Sequence, residues 1–153
     1  MKEKIFNQII DFAISREEMA VKFYQDMQKH SKFNGKEDEL KKLEDMEKGH
    51  IKVLENIRKR GLEELQLPKK IENLKISDYI VAEPEKEELT YQDLLITAMK
   101  REEASFNLYT NLADVFEEDG EEIKNLLLKI ASEEAMHKKH FENIYDDEIL
   151  NQN

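Results

Sequence analysis

The sequence predicts an all-α protein, a four-helix bundle in which one long crossover joins the second helix to the third. Three observations carry that expectation. Apolar residues recur at the helical period in four separate stretches. The connections between them are unequal, two short and one long, and short connections make antiparallel helical hairpins. The two halves of the chain also resemble each other, as one hairpin repeated.

The first helix is expected over about 2–31, with Phe6, Ile9, Ile10, Ala13, Ala20, Tyr24 and Met27 inward. Ser31-Lys32-Phe33-Asn34-Gly35 reads as a turn. The second helix should run from about Lys36 to Arg60, with Leu40, Leu43, Leu54 and Ile57 inward and Gly61 just past its end. Residues 61–89 hold Gly61, Pro68 and Pro84 without a long periodic run. They form the crossover, with a short helix near Ser77–Val81 capped by Ser77 or Asp78. Helices of this length span about 38 Å, and an extended chain at about 3.3 Å per residue easily returns that far. The third helix starts near Thr90, a good N-cap, and runs to about Glu118, with Gly120 marking the next turn. The fourth runs from about Glu121 to Tyr145, and the acidic tail DDEILNQN is expected to fray. Hairpins over about 2–60 and 90–145 thus make one domain of residues 1–153.

Composition narrows the function. Charged residues make up 39% of the chain, but so do hydrophobic ones, enough to build a core. The net charge of −11 argues against a nucleic-acid surface or an anionic membrane face. With no cysteine, disulfides, thiolate metal sites and iron–sulfur clusters are excluded. Asn7, Gln8 and Asp11 interrupt the N-terminal MKEKIFNQIIDF, so it reads as neither signal peptide nor membrane span, and a cytoplasmic protein is the default expectation.

The chemistry lies in the repeat. Ala13-Ile-Ser-Arg-Glu17-Glu18 and its following Tyr24 match Ala98-Met-Lys-Arg-Glu102-Glu103 and Tyr109 at one constant offset. Glu47-Lys-Gly-His50 likewise matches Glu134-Ala-Met-His137. Each Glu-x-x-His places its two side chains on one helix face, a turn apart. All six residues fall on otherwise apolar stripes, such as Leu127, Ile130, Phe141 and Ile144 around Glu134 and His137. The midpoint between Glu17 and His50 falls in the turn before Gly35, and that between Glu102 and His137 falls beside Gly120. Residues equidistant from a hairpin tip face each other, so six ligand-type side chains converge at one level of the core.

Any one of these residues alone reads better as a solvated Glu or a hydrogen-bonded His. Four carboxylates buried together without cations would repel strongly. Two divalent metals explain the set, with one Glu and one His terminal to each and Glu47 and Glu134 bridging. Such ligands suit iron or manganese, with zinc and cobalt as alternatives. Other candidates are weaker: His140 reads as a partly exposed helix histidine, His30 as a complement to a helix C-terminal dipole. Gly49 reads as room for a neighbouring helix, as room beside the site, or as a position without a role, and Glu85–Glu88 and Glu117-Glu118-Asp119 read as solvated turns or helix starts.

At these residues the chain resembles the rubrerythrin-like branch of the ferritin-like di-iron carboxylate proteins, over about residues 5–145. The resemblance implies that Glu17, Glu47, His50, Glu102, Glu134 and His137 ligate two iron ions, and that Tyr24 and Tyr109 stand beside the metals. Two departures limit it. The chain has no four-cysteine rubredoxin module. It also lacks the extra third-helix carboxylate that exchanges with a histidine, since the flanking positions are Met99 and Ser105, with Ile14 and Ala20 in the first helix.

The leading expectation is therefore a cytoplasmic non-haem di-iron oxidoreductase that reacts with O2 or peroxide, in the context of oxidative stress. It would take electrons from a separate donor and form a homodimer, with neither nucleic acid nor membrane as partner. The alternatives are a ferroxidase or iron-storage protein of bacterioferritin type and a metal-stabilised helical interaction protein. Too little chain follows His137 for a further helix, and Lys48 stands where bacterioferritins use a haem-binding Met, which disfavours storage.

Overall fold

A computed structural model describes residues 1–63, 67–85, 88–116 and 120–151. Four long helices carry it: α1 (Lys2–Gln28), α2 (Glu37–Glu63), α3 (Tyr91–Asp114) and α4 (Glu121–Tyr145). Among the described residues there is no strand, and no helix is long and apolar enough to cross a membrane.

Local chemistry sets the helix ends. Thr90 begins α3 with a reciprocal cap: the Asp93 N–H donates to Thr90 Oγ1 and the Thr90 N–H to Asp93 Oδ2, both at 3.0 Å. Between α1 and α2, a short 3-10 turn over Ser31–Phe33 drives Phe33 into the core. Gly35 follows at φ 90°, a left-handed conformation that favours glycine.

Contacts across the bundle fix the directions. Phe6 of α1 meets Phe116, just past α3, at one end, and Phe33 meets Tyr91 at the other. Arg60 at the end of α2 pairs with Glu122 at the start of α4, while Glu39 near the start of α2 meets His140 near the end of α4. So α1 opposes α3 and α2 opposes α4. With α1 antiparallel to α2, helices α2 and α3 run parallel, and the crossover must return the full length of the bundle. It does so as part of the core, burying Leu67, Ile71 and Tyr79. Along α3, Asn111 Nδ2 donates to Tyr79 Oη at 2.8 Å and Arg101 pairs with Glu83 at 2.6 Å.

The apolar core is split into two clusters. One surrounds Phe6, Ile10, Leu54, Leu112 and Leu127; the other surrounds Met27, Phe33, Leu40, Leu95 and Phe141. The candidate ligands lie between them.

Several expectations needed correction. Gly61 lies inside α2 rather than past its end, because the ring of Phe6 occupies the space of a side chain: a Cβ there would stand 2.7 Å from Phe6 Cζ. The crossover contains two 3-10 turns, Lys69–Asn73 and Ile76–Tyr79. The second starts from Lys75 with no side-chain cap, so neither Ser77 nor Asp78 caps it. Helix α3 stops at Asp114, where the Val115 and Phe116 N–H groups turn back to the carbonyls of Leu112 and Ala113 and bury both side chains. The tail does not fray through Leu150. Asp146–Leu150 continues as a wider helical turn, held by Glu148, which accepts from Lys36 Nζ at 2.9 Å and from the Tyr91 hydroxyl. Gly49 faces open space and admits no neighbouring helix. Residues 86 and 87 of the Glu85–Glu88 run, and all of Glu117–Asp119, lie outside the described residues.

Candidate metal centre

Each ligand candidate takes its direction from the apolar stripe it interrupts. In α2 the buried series Leu40, Leu43, Leu54 and Ile57 brackets Glu47 and His50; in α4 Leu127, Ile130 and Phe141 bracket Glu134 and His137. Glu17 and Glu102 occupy the same level of α1 and α3. All six are at most 4% exposed.

The structure brings all six together. His50 Nδ1 lies 3.5 Å from Glu17 Oε2, 3.2 Å from Glu47 Oε1 and 3.1 Å from Glu134 Oε1. His137 Nδ1 lies 3.5 Å from Glu47 Oε1, 3.6 Å from Glu102 Oε2 and 3.8 Å from Glu134 Oε1. Two overlapping groups result, Glu17–Glu47–His50–Glu134 and Glu47–Glu102–Glu134–His137, each with ligand atoms within 4.8 Å of one another. Glu47 and Glu134 belong to both.

Every member has an inward atom left without a hydrogen bond: Glu17 Oε2, Glu47 Oε1, His50 Nδ1, Glu102 Oε2, Glu134 Oε1 and His137 Nδ1; the outer His50 Nε2 lacks one as well. Buried polar atoms are rarely orphaned, and here the orphans face one another. The second oxygens of the terminal carboxylates are held: Tyr109 donates to Glu17 Oε1 at 2.6 Å, and Tyr24 donates to Glu102 Oε1. The tyrosines act crosswise, each reaching the other hairpin's carboxylate and turning its free oxygen inward.

The electrostatics agree. Burial raises the Glu47 carboxyl well above its usual range, reinforced by Glu17 and Glu102. Burial does the same to Glu134, with Glu102, Glu17 and Glu47 adding to it. For His50, burial pushes the imidazole down, but the adjoining Glu17 and Glu47 outweigh it and raise it to about 10. Burial, then the carboxylates, also raises both tyrosines, so their hydroxyls stay protonated donors. Without a cation the cluster must hold protons. Hard oxygen and imidazole donors in this arrangement fit two divalent ions.

Other sequence candidates stand elsewhere. His140 pairs with Glu39 at 3.3 Å, and His30 accepts from the Lys32 N–H at 3.2 Å, starting the 3-10 turn beyond α1. Met99 and Ala20 pack against an apolar cluster. Sequence reasoning missed two neighbours of the histidines, Glu133 beside His50 and Met46 beside His137. The repeat could have found them, because each directly precedes the Glu of a Glu-x-x-His pair.

Residues 93–153 match the family model described as Rubrerythrin. Neither the curated proteins nor the solved structures yield a match to this chain. The matched segment includes Glu102, Tyr109, Glu134 and His137, and the first hairpin supplies their counterparts at the same level. Over residues 93–153 the chain is similar to the Rubrerythrin family, and its four helices and six-residue layer are consistent with a rubrerythrin-like, ferritin-like protein.

Proposed function

We propose that the centre binds two iron ions and that the protein is a non-haem di-iron oxidoreductase acting on O2 or peroxide. The observation that supports this most strongly is the set of six mutually facing orphaned atoms. Glu17 and His50 would hold one metal and Glu102 and His137 the other, with Glu47 and Glu134 available to both. When bound, iron supplies one-electron redox chemistry toward the oxidant.

The chain's own residues do the rest. Tyr24 and Tyr109 fix the terminal carboxylates by hydrogen bonds across the hairpins. The two apolar clusters exclude bulk water above and below the layer. Manganese or zinc would suit the same donors. With no cysteine in the chain, re-reduction falls to a separate donor, and a homodimer is the expected assembly. Met99 and Ser105 offer no competing carboxylate, so His50 keeps its place in both oxidation states.

Stopped-flow oxidation of increasing Fe(II) under O2 or H2O2, paired with solution mass, tests this reading. Saturation near two irons per chain in a small oligomer is the expected result. Continued uptake of tens of irons in a large shell would instead establish a storage protein, and no metal binding would leave a structural helical protein.

A further inference from the structure

We propose that the two metal positions are unequal by construction, the one served by Glu17 and His50 being the tighter. This rests on the di-metal reading above and deepens it. Both histidines aim Nδ1 at the carboxylate cluster. Each outer nitrogen, Nε2, then carries the proton of a neutral metal-bound imidazole, and its acceptor decides how strong a donor the ring is.

Those acceptors differ in kind. His50 Nε2 faces Glu133 Oε2 at 3.7 Å, whereas His137 Nε2 faces Met46 Sδ at 3.4 Å. Glu133 and Met46 are equivalent positions of the repeat, and each serves the histidine of the opposite hairpin. A carboxylate draws on the N–H and makes the ring more basic; a thioether sulfur is a weak acceptor. The 3.7 Å separation exceeds hydrogen-bond length. Glu133 is 24% exposed and has no other partner among the described residues, so its side chain is free to close that distance. Its negative charge also favours a cation on the His50 side. Both effects act in the same direction, and among the described residues no carboxylate is recorded beside His137 Nε2, which meets Met46 Sδ.

Titration of metal-free protein with Co(II), followed by visible d–d absorption, tests the inequality. Repulsion between two ions would separate the binding steps even in a symmetric centre, so location is the readout rather than spacing. His137→Ala should leave the first step near wild-type affinity, while His50→Ala weakens it. Glu133→Met should weaken the first step about 10–100-fold and change the one-equivalent spectrum. Met46→Glu should tighten the second step, and combining the two exchanges should move the tight position to His137. Glu133 and Met46 lie outside the fully buried core, so these exchanges remain informative even where a histidine variant fails to fold. Two ions bound with equal first-step losses in both histidine variants, or with no effect of Glu133→Met, would overturn the inequality alone. Fewer than two ions in the wild-type chain would overturn the di-metal reading and the inequality with it.

Discussion

Two regions of α2 bury carboxylates and treat them in opposite ways. Glu44 is only 3% exposed, yet it is surrounded by donors: Lys48 at 2.7 Å, Gln28 at 2.8 Å, and Lys41 and Gln25 at 3.2 Å. The Lys48 contact is the main cause that brings its carboxyl down to about 2, against burial, which raises it. One turn on, Glu47 is equally buried but among the described residues has no lysine or arginine beside it, only the imidazoles of His50 and His137, and burial with neighbouring carboxylates drives it the other way. The first carboxylate is satisfied by protein donors. The second is arranged for a cation that the chain does not itself supply. Burial alone therefore says little about function; the missing partner does.

The largest expected effect tests that distinction directly. Glu47→Ala or Glu134→Ala should remove most of both metal ions, because each carboxylate serves both positions, whereas Glu44→Ala should leave metal content unchanged. Elemental analysis of the three variants, purified identically, makes the comparison; full metal retention in either bridging variant would break it. Next comes metal removal itself. Chelation should destabilise the fold by about 4 kcal/mol where free metal stood a thousandfold above its dissociation constant. Urea unfolding with and without chelator measures this, and coincident midpoints would mean that the layer is content with protons.

Smaller still, Glu44→Ala should cost about 1–3 kcal/mol through its lost charged hydrogen bonds, visible in the same unfolding curves. Tyr109→Phe should cost about 1 kcal/mol and leave Glu17 free to rotate, loosening but not abolishing metal binding. The smallest effect is a slope with pH. Since the folded Glu44 carboxyl lies below its ordinary 4.5, its stabilisation is complete above that value and lost as pH falls toward about 2. Glu44→Gln should flatten that part of the acid unfolding profile, and an unchanged profile would show that Lys48 matters little.

The sequence made the central layer legible because the same spacing occurs twice, at matching distances from two hairpin turns. Duplication turned ordinary residues into a pattern, while apolar periodicity marked four helices and the connection lengths gave their directions. Glu44 stayed hidden because its partners Gln25 and Gln28 lie on another helix, and in a Lys- and Glu-rich stretch a paired carboxylate reads like a solvated one. Gly61 misled for a similar reason. A glycine that ends a helix and one that yields space to a phenylalanine ring look alike until the packing is known. In the crossover the short helical turn at Ile76–Tyr79 was anticipated near Ser77–Val81, but the turn at Lys69–Asn73 was out of reach, since a short 3-10 turn leaves no periodic trace.

The crosswise tyrosines have a mechanical consequence. Each hairpin's terminal carboxylate is held by the other hairpin, and each metal position draws on both. An ion bound there is a rivet between two segments that are far apart in sequence, resembling a cross-link closing a long loop. Unriveted, the two hairpins are coupled by protein contacts alone. Riveted, opening one must release the ion or carry the other along, so amide protons in both halves should slow their exchange together when metal is added.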